Sequence, residues 1–179
     1  MKATRIILAA MVLGTGISAG QAGAQCSGNA GSCNLTNTVS ASVNALVKLQ
    51  MSSASMSVAS PTADQVEVGA TLADAGPTFT IKANRSWSLN IKTTNPSNWT
   101  YVGSNGGVKP ISDLTWSNAA AGTYVGMSTT DALLTSGAAA TNGAAAQVFF
   151  KTVWAAGFTM PSNAPGTYSM PVVFTLSAP

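Results

Sequence analysis

Histidine is absent from the 179-residue sequence, cysteine occurs only twice, and charged side chains make up 7% of it. Without histidine a serine or cysteine nucleophile has no ordinary base, so the usual triad has no way to assemble. A zinc site of the common kind also lacks its principal nitrogen ligand. The five acidic residues are Asp64, Glu67, Asp74, Asp113 and Asp131. Asp64 and Glu67 are close in sequence within a turn or short strand and read as solvation of a loop, not as a carboxylate pair across a cleft. No glycine-rich loop carries the Lys and Ser/Thr of a phosphate cradle, and residues 103–107 read as a hairpin turn. The sequence therefore predicts no enzyme, no cofactor and no metal.

The first residues address the compartment. Lys2 and Arg5 precede an apolar run over 6–13, and Ala22 and Ala24 fit the small-residue cleavage pattern, so 1–24 reads as a signal peptide and the mature chain starts at Gln25. The run is too short to span a bilayer, and no later stretch approaches the ~20 apolar residues a helix needs, so no membrane insertion is expected after cleavage. Gln25 is not the small residue that a lipid anchor on Cys26 requires. Once Lys2 and Arg5 depart, six basic residues face five acidic ones, a formal charge of +1. No cluster of Lys and Arg exists to neutralise phosphates, so a nucleic-acid partner is not expected. A surface wetted by Ser, Thr, Asn and Gln has little long-range repulsion, which tolerates self-association.

Cys26 and Cys33 enclose six residues, and in an exported chain so close a pair is expected to form a disulfide. Loop-closure entropy gives about 2.5 kcal/mol for a ring of this size. It would pin a tail, 25–38, ahead of a single domain over 39–179.

What the sequence does have is alternation. Val39, Ala41, Val43, Ala45, Val47, Leu49 and Met51 are apolar, and five of the six residues between them are polar, which predicts a strand over 39–51 with one dry face. The period returns at Phe79, Ile81, Ala83, Trp87, Leu89 and Ile91, and again at Tyr168, Met170, Val172, Phe174 and Leu176. Turn signals such as Gly76-Pro77, Asn95-Pro96, Asn142-Gly143 and Pro165-Gly166 punctuate the chain. Between them further strands are expected over 55–59, 65–68, 78–83, 86–93, 99–102, 114–117, 125–129, 146–154 and 166–176. The alanine-rich stretch 137–146 and residues 118–122 read as surface loops. The fold class expected is all-β, an immunoglobulin-like two-sheet antiparallel sandwich.

The four tryptophans allow two readings. Trp87 and Trp154 fall in apolar or alternating runs and are expected to fill the space between sheets. Trp99 and Trp116 sit beside polar loops, where exposed rings could stack on sugars.

The triplet Trp87-Ser88-Leu89, together with Tyr168, Val172, Leu176 and Pro179, resembles the paired signature of WxL-type surface domains. Phe174 stands where that family has the Trp of its second motif. The resemblance implies a secreted, non-catalytic protein held non-covalently at the cell wall or surface. More diffusely, the chain is similar to pilin-like and spore-coat-U-like secreted subunits. That likeness implies that the segment from Val39 to Met51 completes the sandwich of a neighbouring copy. The simpler alternative is that this strand pairs within its own domain.

These readings converge on an exported structural component of the cell surface, periplasm or an extracellular fibre, with itself or other surface proteins as partners. The alternative is a module that binds carbohydrate or cell-wall polysaccharide through Trp99 and Trp116.

Overall fold

The computed structural model describes residues 35–179. The expected signal peptide, Asn34 and the Cys26–Cys33 pair lie outside the described residues. Residues 35–42 carry no strand or helix, and Val43–Pro179 forms one unit. Its elements run β1 (Val47–Met51), α1 (Ala63–Val68), β2 (Ala70–Ala83), β3 (Trp87–Thr93), β4 (Thr100–Val102), β5 (Leu114–Ser117), β6 (Val125–Gly126), β7 (Ala132–Gly137), β8 (Thr141–Trp154), β9 (Thr167–Ser169) and β10 (Val172–Ser177).

The strands pair antiparallel throughout. One sheet has the order β1-β2-β8-β5-β6, a second β10-β3-β7, and β4 with β9 makes a separate ribbon. Alternation explains how the two larger sheets share a core: Phe79, Ile81 and Ala83 of β2 and Val148 and Phe150 of β8 are buried, as are Trp87, Leu89 and Ile91 of β3. The ring of Phe79 meets that of Phe174 across the sheets at 4.6 Å between centroids. The molecule is an all-β sandwich, as its periodicity predicts.

Several boundaries differ from the sequence reading, each for a physical reason. Strand 39–51 shrinks to β1, because only Val47–Met51 finds a ladder partner, in β2. The stretch 65–68 belongs to α1. Thr62 Oγ1 accepts from the Gln65 N–H at 3.3 Å and Gln65 Oε1 accepts from the Thr62 N–H at 2.9 Å, a reciprocal cap that nucleates one helical turn. Gly69, with φ of 81°, then ends the turn.

The alanine-rich stretch read as a loop is largely strand: Ala144 and Ala146 pair with Ile81 and Phe79 and pack against the core. A long partner strand overrides weak intrinsic preference. β7 was not anticipated. The last strand is interrupted at Met170-Pro171, since proline has no N–H to donate and Thr93 Oγ1 takes the Pro171 carbonyl at 2.8 Å. In β2 the ladder shifts register between Ala75 and Thr78. A Cβ on Gly76 would lie 2.7 Å from the Phe150 ring, so only glycine lets β2 pass β8 there.

Candidate functional site

Directly opposed residues of an antiparallel pair project from the same face of the sheet. Val47, Leu49 and Met51 oppose Ala83, Ile81 and Phe79, all of them buried. The three β1 side chains therefore belong to the inner face. Leu49 packs against the core, yet Val47 and Met51 are 45% and 42% exposed. The same holds at the second sheet, where Val172, Phe174 and Leu176 oppose the buried Thr93, Ile91 and Leu89 but are themselves only half-buried. Among the described residues β1 bonds to β2 alone and β10 to β3 alone, which leaves one edge of each without a partner there. The sandwich is open along the side where these edges approach one another.

Beside that opening lies a groove of about 1000 Å³, lined along residues 52–60 and 166–172. Its lining is mixed, apolar at Met51, Val58, Phe150, Met170, Val172 and Phe174 and polar at the serines of 52–60. The strand expected over 55–59 does not form. That segment runs along the groove, with Val58 packed on the core and the Ala59 N–H donating to Asp74 Oδ2 at 3.1 Å.

Lys109, Trp154 and Tyr168, which also line the groove, form a polar cluster. Lys109 is 0% exposed, with its ammonium 3.2 Å from Asp113 Oδ2, bonded to the Val153 carbonyl and 4.1 Å from the centre of the Trp154 ring. Burial lowers the lysine pKa, and Asp113 opposes the shift. Tyr168 stands edge-on to Trp154 at 6.3 Å, and its hydroxyl donates toward the carbonyls of Ala164 and Pro161. Burial and the neighbouring Tyr101 push the Tyr168 pKa up. The indole Nε1 of Trp154 is buried and has no hydrogen-bond partner among the described residues. A buried donor left unpaired costs about 1–3 kcal/mol.

The residues singled out from the sequence are distributed unevenly around this site. Of the suggested donor strand, Val47, Leu49 and Met51 pair inside their own domain. Val39 and Ala41 lie in the stretch without secondary structure, while Val43 and Ala45 lie just before β1. Asn84 clamps the backbone there, accepting from the Leu46 N–H at 2.8 Å and donating to the Asn44 carbonyl at 2.9 Å. The WxL-like residues Trp87, Leu89, Val172, Phe174 and Leu176 come together on β3 and β10, with Leu89 directly opposite Leu176. Tyr168 is on β9 and Pro179 is the terminal residue.

Trp99 and Trp116 correct the sugar-platform expectation. At 9% and 6% exposure they offer no free ring face, and the Trp99 Nε1 donates inward to the Pro110 carbonyl at 3.0 Å. Trp87 is buried between the sheets as expected, whereas Trp154 is half-buried at the groove. Lys109 and its surroundings had no signal in the sequence beyond one isolated lysine four residues before an aspartate. Among the described residues no cluster of His, Cys, Asp and Glu is placed to hold a metal ion, and no helix is long and apolar enough to cross a membrane.

No protein-family model and no curated protein matches the chain. Among solved structures, the chain is similar to one from a structure described as a chaperone-usher pilus revealing the basis of rod uncoiling. It shares 10% identity over 70% of this chain and 81% of that one, with a TM-score of 0.44.

Proposed function

We propose that this chain is an exported structural subunit of a cell-surface or extracellular fibre, without catalytic activity, and that copies join by strand addition. One observation carries the reading: the inner-face residues of β1 and β10 are left uncovered beside a groove, at two strand edges that pair with no further strand among the described residues. An added strand satisfies both deficits at once, side chains filling the groove and N–H and C=O groups completing the ladder. The occupant is the segment 35–42 of a second copy, the stretch ahead of the backbone that Asn84 holds in its own chain. In it Leu35 and Val39 stand four residues apart, on one face of an extended chain, and both are exposed. Because donor and acceptor surfaces differ, the contact is head-to-tail and propagates instead of closing.

In this reading residues 1–24 direct export and are removed, and a Cys26–Cys33 ring caps the tail that precedes the donated segment. The alternative of a carbohydrate-binding module has less support, since it relied on exposed rings at Trp99 and Trp116.

The test is assembly. The mature chain is expected to form polymers, visible by electron microscopy, that survive dilution. Removal of residues 35–42, or Leu35→Asp with Val39→Asp in the full mature chain, is expected to leave folded monomers, with circular dichroism reporting the fold. Equal assembly by both variants overturns the proposal.

A further inference from the structure

We infer that charges of opposite sign at the two ends of the sandwich orient approaching copies head-to-tail, the end with Lys48, Lys82 and Arg85 of one copy toward the end with Asp64 and Glu67 of the next. This rests on the fibre reading above and deepens it: strand addition holds the copies together, and charge sets which ends meet and how fast.

Few charges are present, and they are spread unevenly. Among the described residues Lys92 pairs with Asp131 at 3.0 Å and Lys109 with Asp113 at 3.2 Å, so these four cancel locally. The other cations are Lys48, Lys82, Arg85 and Lys151, and the other acids are Asp64, Glu67 and Asp74. Lys48 stands directly opposite Lys82 in the ladder of β1 with β2, and Arg85 follows in the turn after β2; all three are exposed. Like charges directly opposed weaken a strand pair, so the fold itself gains nothing from this cluster. Asp64 and Glu67 are exposed on α1, which leads through Gly69 into the opposite end of β2. Asp74, which accepts from the Ala59 N–H, adds to that acidic half. Lys151, opposite Ala73 and 4.0 Å from the centre of the Tyr124 ring, subtracts from it. At the cationic end the Pro179 carboxylate does the same, since Ser177 pairs with Ser88 and the chain runs on toward Arg85.

Each end therefore keeps an excess of its own sign. The fourteen residues of β2 hold the two ends roughly 40 Å apart at about 3.3 Å per residue. That distance exceeds the screening length, about 8 Å at physiological ionic strength, so an approaching copy senses the nearer end and not the nearly cancelled total. Opposite ends attract, and like ends repel.

This polarity agrees with the direction of strand addition. The segment 35–42 continues into Val43, just ahead of the backbone of Asn44 and Leu46 that Asn84 holds at the cationic end. The groove draws on Ala75, Gly76 and Pro77 of β2 and on Trp154, which extends the same sheet opposite Ala70, so it lies in the half nearer α1. A donated segment thus leaves from the cationic end, and the groove that receives it lies toward the acidic end. Complementarity of this kind raises the rate of productive encounter and leaves dissociation to the buried joint.

The decisive measurement is the initial rate of polymer formation by the mature chain, followed by light scattering. From about 0.01 M to about 1 M sodium chloride the screening length falls from about 30 Å to about 3 Å. Over that range the rate is expected to fall on the order of tenfold, the low end of what steering supplies, while the half-life of finished polymers stays unchanged. Lys82→Glu with Arg85→Glu makes both ends acidic, and Asp64→Lys with Glu67→Lys makes both cationic. Either pair is expected to slow assembly at low salt, and added salt is then expected to speed it. Both pairs in one chain exchange the two signs, and the rate and its fall with salt are expected to return. Circular dichroism reports the fold of each variant.

A parent rate indifferent to salt, or a doubly reversed chain no faster than either pair alone, overturns the inference, and polymers of unchanged half-life leave the fibre reading standing. Failure of the parent to polymerise at any salt overturns both. Capture of the mature chain by anionic phospholipid vesicles through Lys48, Lys82 and Arg85, with assembly indifferent to salt, assigns the cations to a membrane surface and overturns the inference. Should one pair not fold, the salt dependence of the parent and of the other pair decides the matter.

Discussion

At the scale of single residues the unusual feature is Lys109, a cation removed from water beside a tryptophan ring. Its side chain fills space as a long aliphatic stem, so the packing and the charge contribute separately. Lys109→Ala opens a cavity and is expected to cost about 2–4 kcal/mol. Lys109→Met keeps the volume and leaves Asp113, which is partly solvated, free to bind water. It is expected to cost no more than about 1 kcal/mol, or to stabilise; urea denaturation of both variants checks the pair.

The pH dependence follows from the direction of the lysine shift. The folded chain holds the Lys109 proton less tightly than the unfolded chain, whose value is 10.5. Between the folded value and 10.5 the unfolded state binds more protons, so this group makes stability rise with pH. Below that window both states are protonated and the group adds no slope. Tyr168, shifted up from 10.0, acts oppositely as pH rises above 10. Stability measured up to pH 10 is expected to rise more steeply with pH in the parent than in Lys109→Met, and identical slopes contradict the assignment. Little of this was legible beforehand. A lysine four residues before an aspartate is common on surfaces, and only the approach of β8 from 44 positions away buries it.

At the scale of elements, the alternating runs in β2, β3 and β10 were legible because each carries its own period-two signal and finds a partner that uses it. Residues 65–68 read as strand from the sequence, yet the reciprocal cap between Thr62 and Gln65 makes them part of the helical turn α1. Thr62→Ala removes the acceptor and is expected to lower stability by about 1 kcal/mol, measured by denaturation. Residues 144–146 show the converse. Alanine has little strand preference, yet small side chains suit positions opposite Ile81 and Phe79, and the pairing with β2 supplies what the residues lack. β1 lies between these cases. Its alternation marks an inward face correctly, but alternation carries no information about whether another strand covers that face.

At the scale of the whole molecule the scarcity of charge becomes a prediction about assembly. If copies join by the proposed strand addition, then with 7% charged residues association is expected to depend on burial and ladder bonds and only weakly on Coulomb attraction. Polymers of the mature chain are expected to persist unchanged from low salt to about 1 M sodium chloride, a range over which the screening length falls to about 3 Å. Sulfate is expected to strengthen them; light scattering across a salt series reads both, and dissolution by sodium chloride alone would contradict an apolar joint. The sequence by itself determined the sheet architecture and which side of each major strand faces the core, because two-residue periodicity is a local property that each strand carries unaided. The tertiary structure alone decided that Trp99 and Trp116 are buried, that Lys109 is dry and that, among the described residues, β1 and β10 each keep one edge without a partner. Those facts depend on which distant segments meet and on where none does, and pairing of that kind is settled only by packing the whole chain.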